Sequence, residues 1–198
     1  MSYHRDDVIF REGEPSTYLL LLKQGLVKVT AASETGQVTL LAIRGPGDVI
    51  GELSAADGNP ERSATVVAAA DVHACLINHQ DFIRLTQQRP EIMVAMLHVL
   101  SDKLRQASRA RVEVHTYTVR MRLARVLVEL AQAYGQEGTG GTRIDLSLTQ
   151  PELAALVSAS PASIARCLRE LRQRQILDIG YRHVTLHDTE ALAAIARS

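Results

Sequence analysis

The chain has 198 residues, of which 46% are hydrophobic and 22% charged, and its formal net charge is zero. This composition predicts a folded protein of one or two small domains and excludes a disordered chain. No apolar run approaches the length of about 18 residues that suggests a membrane span, and the polar N-terminus lacks the apolar core of a signal peptide. Two cysteines far apart in sequence provide neither a disulfide framework nor a metal cluster. We therefore expect a cytoplasmic protein without a resident metal and without membrane contact.

The charges are distributed unevenly along the chain. Residues 1–100 carry 8 basic and 12 acidic side chains, whereas residues 101–198 carry 14 basic and 10 acidic ones. A polyanionic partner is therefore expected to meet the second half of the chain.

The first 78 residues have the pattern of short strands separated by turns. Seven of the twelve glycines precede residue 60, and Gly45-Pro46-Gly47-Asp48 is a strong turn signal. Short strands at this spacing predict a sandwich, a roll or a barrel. The predicted strands are Tyr18–Leu22, Leu26–Thr30, Val38–Ile43, Thr65–Ala68 and Val72–Ile77.

From about residue 79 the pattern becomes helical. Asp81–Gln88 predicts a short helix, and Pro90 is well placed to begin a longer one. Another helix is predicted over Arg120–Tyr134, followed by a flexible, glycine-rich loop over 135–141. The longer helix carries a seam with alternating spacings of four and three residues: Met93, Leu97, Leu100, Leu104, Ala107, Arg111 and Val114. The seam has two interpretations, a helix packed on its own β-domain and a coiled coil across a dimer axis.

Two short helices with capping signals follow. The segment 149–152 is a capping box with Thr149 as N-cap and Glu152 three residues later. Ser160 is placed to cap a second helix whose first residue is Pro161. Strand-like runs at 176–179 and 182–186, around a tight Gly180-Tyr181 turn, predict a β-hairpin after this helix.

The second of these helices has an apolar face and a basic face. Ile164, Leu168 and Leu171 point inward. The opposite face carries Ser163, Arg166, Arg169 and, toward its end, Arg172. Such a helix pair followed by a hairpin is typical of a winged helix-turn-helix that binds DNA. The alternative is an ordinary helical hairpin with a solvated basic face.

The predicted DNA contacts differ in kind. Arg166 and Arg169 are candidates for the major groove, because two parallel guanidinium donors match guanine O6 and N7, and Arg166 is the main candidate for reading bases. Ser163 is better suited to a phosphate contact. Further DNA contacts are predicted at Thr149, Gln150 and Ser160.

The segments 51–54 and 61–64 suit a cyclic nucleotide. Gly51 lets the backbone approach a ligand closely, and Glu52 can accept a hydrogen bond from a ribose hydroxyl. Arg62 can bind a phosphodiester with two donors, and Ser63 can add to this contact. The alternative is a structural ion pair between Glu52 and Arg62.

With these motifs the chain resembles the cyclic AMP receptor protein/FNR (CRP/FNR) family over nearly its whole length. The resemblance rests on GPGD at 45–48, GELS at 51–54, ERSAT at 61–65, the long helix, and LTQPELAALVSASPASIARCLRELR at 148–172. It implies an α+β fold: a jelly-roll-like, cyclic-nucleotide-binding β-roll (1–88), a long dimerisation helix (89–119) and a winged helix-turn-helix DNA-binding domain (120–198).

The resemblance also implies partners and site residues. It implies a homodimer that binds a palindromic operator in double-stranded DNA, contacts RNA polymerase and is gated by a cyclic nucleotide such as cAMP, with no obligatory cofactor. Glu52 is implied as the ribose ligand and Arg62 with Ser63 as the phosphate ligands. The other implied pocket residues are Gly51, Leu53 and Ser54, the basic residue Lys103, and Ser108, which reaches the purine from the partner subunit.

The sequence departs from the family pattern in three respects, at four positions. Ala107 replaces a Thr that bonds the adenine amino group in cAMP-binding members. Pro161 and Ala162 replace the Arg-Glu pair of the best-known DNA readers. Ser158 replaces a frequent turn glycine, which predicts strain if its φ is positive.

Two other functions are alternatives to a ligand-gated regulator. A regulator of the same fold that binds another ligand, or binds DNA without one, fits the same residues. A cupin-like enzyme requires a metal set of His and Glu on the strands, and the sequence has neither this set nor a nucleophile beside a base. We therefore predict a regulator and not an enzyme.

Overall fold

A computed structural model describes residues 1–57, 61–180 and 183–198. The chain divides into two compact units, Met1–Arg109 and Ala110–Ser198. Long helix α3 (Pro90–Thr116) begins in the first unit and ends in the second.

The first unit contains two four-stranded antiparallel sheets. Its strands are β1 (Ser2–Tyr3), β2 (Val8–Phe10), β3 (Tyr18–Gln24), β4 (Val27–Ala32), β5 (Val38–Arg44), β6 (Val49–Ile50), β7 (Thr65–Ala68) and β8 (Val72–Asn78). One sheet has the order β1-β8-β3-β6 and the other β2-β7-β4-β5. All five strands expected from the sequence are present, and the fold is the predicted β-roll.

Two further helices belong to the first unit. Helix α1 (Glu52–Asp57) follows the short strand β6, and helix α2 (His79–Gln88) follows β8 directly. Helix α2 is capped by Asn78, whose side chain accepts a hydrogen bond from the Asp81 N–H at 2.7 Å.

Strand β3 is apolar on both faces, for a structural reason. Leu20 and Leu22 are fully buried in the core between the two sheets. Leu19 faces the other way and packs against Phe82 of α2 and Met96 of α3. Since both faces are covered, the strand reads as a continuous apolar run instead of an alternating one.

The second unit is a helical domain with one four-stranded antiparallel sheet. Its helices are α4 (Val119–Tyr134), α5 (Gln150–Leu156), α6 (Pro161–Gln173) and α7 (Thr189–Arg197). Its strands are β9 (Gln136–Gly138), β10 (Gly141–Ile144), β11 (Leu177–Gly180) and β12 (His183–Leu186), in the order β11-β12-β10-β9. The predicted winged helix-turn-helix is α5, α6 and the β11–β12 hairpin.

One sequence prediction in this unit is wrong. The segment 135–141 is not a flexible loop, because β9 lies within it and β10 begins at its end. Strand β10 pairs with β12, with Thr142 opposite Leu186, so this segment enlarges the wing sheet. The predicted wing-turn residues Tyr181 and Arg182 lie outside the described residues.

Among the described residues, no helix is both long and apolar enough to cross a membrane.

Candidate functional site

Gly51 and Arg62 are in direct contact at the start of helix α1. Gly51 has a φ of 78°, and a Cβ at this position would lie 2.3 Å from Nη1 of Arg62. A glycine is therefore required here for two reasons, its left-handed backbone and the guanidinium against its Cα. The sequence predicted a close approach at Gly51, and the group that approaches is the arginine.

Two aromatic rings hold the Arg62 guanidinium. Its Cζ lies 3.7 Å from the centroid of the Phe10 ring and 4.8 Å from that of Tyr18. Arg62 is only 4% exposed, and its Nη1 and Nη2 have no hydrogen-bond partner among the described residues. Buried guanidinium donors without acceptors are costly, and an anion placed here would satisfy them.

The charge of Arg62 also affects its surroundings. Burial is the main cause that lowers the pKa of the Arg62 guanidinium from its ordinary value, and the Tyr18 hydroxyl opposes this effect. Burial, and then the charge of Arg62, lower the pKa of His79, whose Nε2 is buried without a described partner. Burial and the charge of Arg62 thus both disfavour a second positive charge at His79.

Glu52 is paired with Lys103 of helix α3. The Lys103 Nζ lies 2.8 Å from Oε1 of Glu52 and also donates to the Val49 carbonyl oxygen at 3.0 Å. Glu52 is 6% exposed, so this is a largely buried ion pair. The alternative of a structural Glu52–Arg62 ion pair is wrong, because Lys103 occupies the carboxylate and Arg62 stacks on the aromatic rings.

The other predicted pocket residues are placed differently. Ser54 is buried, and its hydroxyl donates to the Glu61 carbonyl oxygen at 2.9 Å, which ties α1 to the residue before Arg62. Leu53, Ser63 and Ser108 are exposed. The described contacts therefore join Gly51 to Arg62 and Glu52 to Lys103, and leave the other three facing solvent.

The caps of the helix-turn-helix are those that the sequence predicts. The Thr149 Oγ1 accepts from the Glu152 N–H at 3.3 Å, while a Glu152 carboxylate oxygen accepts from the Thr149 N–H at 2.8 Å. The Ser160 Oγ accepts from the Ser163 N–H at 3.2 Å and lies 3.0 Å from the Ser163 Oγ. The hydroxyls of Thr149, Ser160 and Ser163 thus have structural partners already, and their DNA contacts remain predictions, like that of exposed Gln150.

Helix α6 presents the expected basic face. Ile164, Leu168 and Leu171 are buried, whereas Arg166 and Arg169 are exposed and form no ion pair with any described residue. Arg172, one turn later, donates instead to the Ile179 carbonyl oxygen at 3.0 Å and so ties α6 to β11. Two unpaired guanidinium groups on one outward face are suited to a polyanion.

Sequence reasoning missed Arg122. This side chain lies on α4, is 7% exposed, and donates only to backbone carbonyls in the contacts described. A buried arginine on an amphipathic helix looks like any surface arginine in the sequence. The residues that follow it on the helix, Leu123, Ala124 and Leu127, are fully buried, so Arg122 lies on an interior part of α4.

Comparison with known proteins identifies the family. Residues 1–89 match the cyclic nucleotide-binding domain and residues 121–195 the Crp-like helix-turn-helix domain. The CRP-like cAMP-activated global transcriptional regulator of Mycobacterium tuberculosis is 32% identical over 197 residues, covering 100% of this chain and 88% of that protein. The chain belongs to the CRP/FNR family of transcription regulators.

Solved structures agree with this assignment. A CRP/FNR-family regulator of Thermus thermophilus superposes with a TM-score of 0.81 at 26% identity, covering 100% of this chain and 98% of that one. The c-di-GMP responsive global regulator CLP of Xanthomonas campestris shares the fold, with a TM-score of 0.76 at 23% identity and coverage of 94% and 92%.

The residues at which this CRP/FNR regulator departs from the family pattern lie at a turn and on exposed helix surfaces. Ser158 has a φ of 51°, so the predicted strain at the turn is confirmed. Ala107 is exposed on helix α3, and Pro161 and Ala162 are exposed at the start of helix α6. These three replacements therefore lie on accessible surfaces.

Proposed function

We propose that this CRP/FNR regulator is a homodimer that binds palindromic DNA through α6 and is gated by a cyclic nucleotide in its β-roll. The proposed domains are the β-roll over 1–88, the dimerisation helix over 89–119 and the DNA-binding domain over 120–198. The first candidate for the effector is cAMP, because the Mycobacterium tuberculosis relative is a cAMP-activated regulator.

The observation that carries the proposal is the buried guanidinium of Arg62, whose Nη1 and Nη2 have no hydrogen-bond partner among the residues that the structure describes. Its Nη1 touches Gly51, the residue before Glu52, at the start of α1. A cyclic phosphodiester at this point would supply the two acceptors that Arg62 lacks. Glu52 keeps a second carboxylate oxygen, besides the one bound by Lys103, to accept a hydrogen bond from a ribose hydroxyl.

The nucleotide is tested by calorimetric titration of the full-length protein with cAMP, cGMP and inorganic phosphate. We expect cAMP to bind and Arg62→Gln to weaken it by roughly 30-fold or more, because hydrogen bonds to a charged group are lost. The matched control is Arg11→Gln, which removes an exposed arginine paired with Glu14. Absence of cyclic nucleotide binding to wild type refutes this effector class.

The proposal of a dimer is supported by the seam of α3. Met93, Leu97 and Leu104 are 44%, 56% and 69% exposed, while Met96, on another face of the helix, is buried against the first unit. An apolar stripe that stays in water in the single chain is covered when a second copy packs against it. Sedimentation should show a dimer for wild type and His98→Glu, and a monomer for Leu97→Glu.

The DNA-binding part is tested by selecting duplexes from a random pool. Arg166→Ala should weaken binding to the selected duplex by about 1–3 kcal/mol and relax one base position. Arg84→Ala in the first unit is the control, because this arginine is engaged by Asp81 on its own helix. Unchanged affinity of Arg166→Ala contradicts its role in base reading.

A second candidate differs only in the effector. Ala107 offers no hydroxyl to an adenine amino group, which favours a regulator of the same fold that binds another ligand or binds DNA without one. Selection of a specific duplex by the protein, together with no heat of binding for either cyclic nucleotide, would favour this alternative.

A further inference from the structure

Arg122 bridges the ends of two helices in the second unit. Its Nε donates to the Val157 carbonyl oxygen at 2.8 Å and its Nη2 to that of Ser158 at 3.1 Å, at the end of α5. Its Nη1 donates to the Tyr117 carbonyl oxygen at 2.6 Å and lies 3.4 Å from that of Val114, at the end of α3. One guanidinium thus binds carbonyls at two separate helix C-termini.

Elementary electrostatics explains why a cation is buried there. The last carbonyls of a helix have no N–H partner in the helix, and the C-terminus carries a partial negative charge. Arg122 satisfies such carbonyls of α3 and α5 at the same time. Its donors are used by the backbone, which offsets the cost of burying the charge without a carboxylate.

The turn that Arg122 holds is strained. Ser158 has a φ of 51°, and the bonds from the Ser158 N–H to the Ala155 oxygen and from the Ala159 N–H to the Ala154 oxygen form a Schellman turn. A side chain in this left-handed conformation raises the energy of the turn. The bond from Arg122 to the Ser158 carbonyl opposes that strain. Ser160, two residues later, caps α6, so the turn determines where α6 begins.

We propose that Arg122 is a positioning residue for DNA binding, which links the end of α3 to the turn of the helix-turn-helix and holds that turn in its left-handed conformation. The inference rests on the proposed binding of DNA by α6. Arg122 itself is buried and makes no phosphate contact.

The chain offers a matched control three residues later on the same helix. The Arg125 Nε pairs with Glu113 at 3.0 Å, its Nη1 donates to the Ala196 carbonyl oxygen at 3.1 Å, and its Cζ lies 4.7 Å from the centroid of the Tyr117 ring. Arg125 therefore joins the same end of α3 to α7 and not to the turn after α5.

The experiment compares Arg122→Lys and Arg125→Lys in the full-length protein, with the duplex that wild type selects, at several salt concentrations. Because lysine cannot reach both helix ends with two parallel donors, Arg122→Lys should bind on the order of tenfold more weakly. The slope of affinity against salt should not change, because no phosphate contact is lost. Arg125→Lys should stay within about threefold of wild type, as expected for a site outside the turn.

Two further measurements separate positioning from general destabilisation. Amide exchange at Ser158 and Ala159 should accelerate in Arg122→Lys, while exchange in the middle of α4 stays as in wild type. Ser158→Gly added to Arg122→Lys should restore most of the affinity, since glycine adopts the left-handed conformation without strain. The double variant also keeps the test open if Arg122→Lys alone folds poorly.

Several results would overturn the inference. The first is an equal loss of DNA affinity in Arg122→Lys and Arg125→Lys. The second is a slope of affinity against salt that falls in Arg122→Lys by the equivalent of about one phosphate contact. The others are faster amide exchange throughout the second unit of Arg122→Lys, and no recovery of affinity when Ser158→Gly is added. If wild type selects no duplex, the proposed function fails instead. The amide exchange rates at Ser158 and Ala159 still test whether Arg122 holds the turn in its left-handed conformation.

Discussion

The Lys103 ammonium lies 2.8 Å from the Glu52 carboxylate and joins helix α3 to the start of helix α1. The two side chains are 23% and 7% exposed. Lys103→Met should lower the free energy of unfolding by about 3 kcal/mol, because it leaves a buried carboxylate without its cation. Urea unfolding followed by circular dichroism measures this loss.

Two variants control that prediction. Lys23 is exposed on β3, so Lys23→Met should change the stability by less than about 0.5 kcal/mol. Adding Glu52→Gln to Lys103→Met removes the unpaired charge and should recover part of the loss. Equal effects of Lys103→Met and Lys23→Met would contradict the role of the ion pair.

The aromatic contact of Arg62 predicts an effect on ligand affinity. Phe10→Leu removes the ring that lies 3.7 Å from the guanidinium, so the affinity for cAMP should fall about fivefold, the equivalent of about 1 kcal/mol of cation–π attraction. Titration calorimetry measures it. The control is Ile9→Val in the same core, which should lower the free energy of unfolding by about 0.5–1.5 kcal/mol but leave the affinity for cAMP unchanged. Equal affinities of the two variants would exclude the ring from ligand binding.

His79 predicts a loss of stability in mild acid. Its pKa is lowered in the folded state by burial and by Arg62. As the pH falls through the ordinary histidine value of about 6.5, the unfolded chain binds a proton that the folded chain does not, so stability decreases. His79→Gln should reduce this decrease, measured as the difference in urea midpoint between about pH 7 and pH 5.5. His98→Gln, at an exposed position of α3, should keep the wild-type difference.

Local signals in the sequence were sufficient for much of this fold. The capping box at Thr149 and Glu152 and the Ser160 cap depend on residues three apart, and the structure has both. Five of the eight strands described in the β-roll were recognisable because each is a short apolar run bounded by turn residues, whereas the short strands β1, β2 and β6 were not predicted. The departure at Ser158 correctly indicated a positive φ.

The features that the sequence did not reveal depend on contacts between distant residues. Strand β10 follows a glycine-rich run that by itself predicts a loop, and it pairs with the predicted strand β12, with Thr142 opposite Leu186. The pairing of Glu52 with Lys103 joins residues 51 positions apart, and the ion pair that the sequence offered as an alternative joined Glu52 to Arg62 instead. Cys75 is exposed because alternate residues of β8 face outward, and the sequence alone does not show which face of this strand is covered.

The turn at Ser158 gives the last prediction, in which two serines two residues apart respond with opposite sign. Ser158→Gly should raise the free energy of unfolding by about 1 kcal/mol, because a left-handed φ of 51° costs a residue with a Cβ more than it costs glycine. Ser160 has an ordinary negative φ of −80°, so glycine would relieve no strain at this position. Ser160→Ala should lower the free energy of unfolding by about 1 kcal/mol, because it removes the cap of α6. Urea unfolding of Ser158→Gly and Ser160→Ala measures the expected gain and the expected loss of stability. A destabilising Ser158→Gly would mean that the serine side chain, and not the backbone conformation, is what the turn requires.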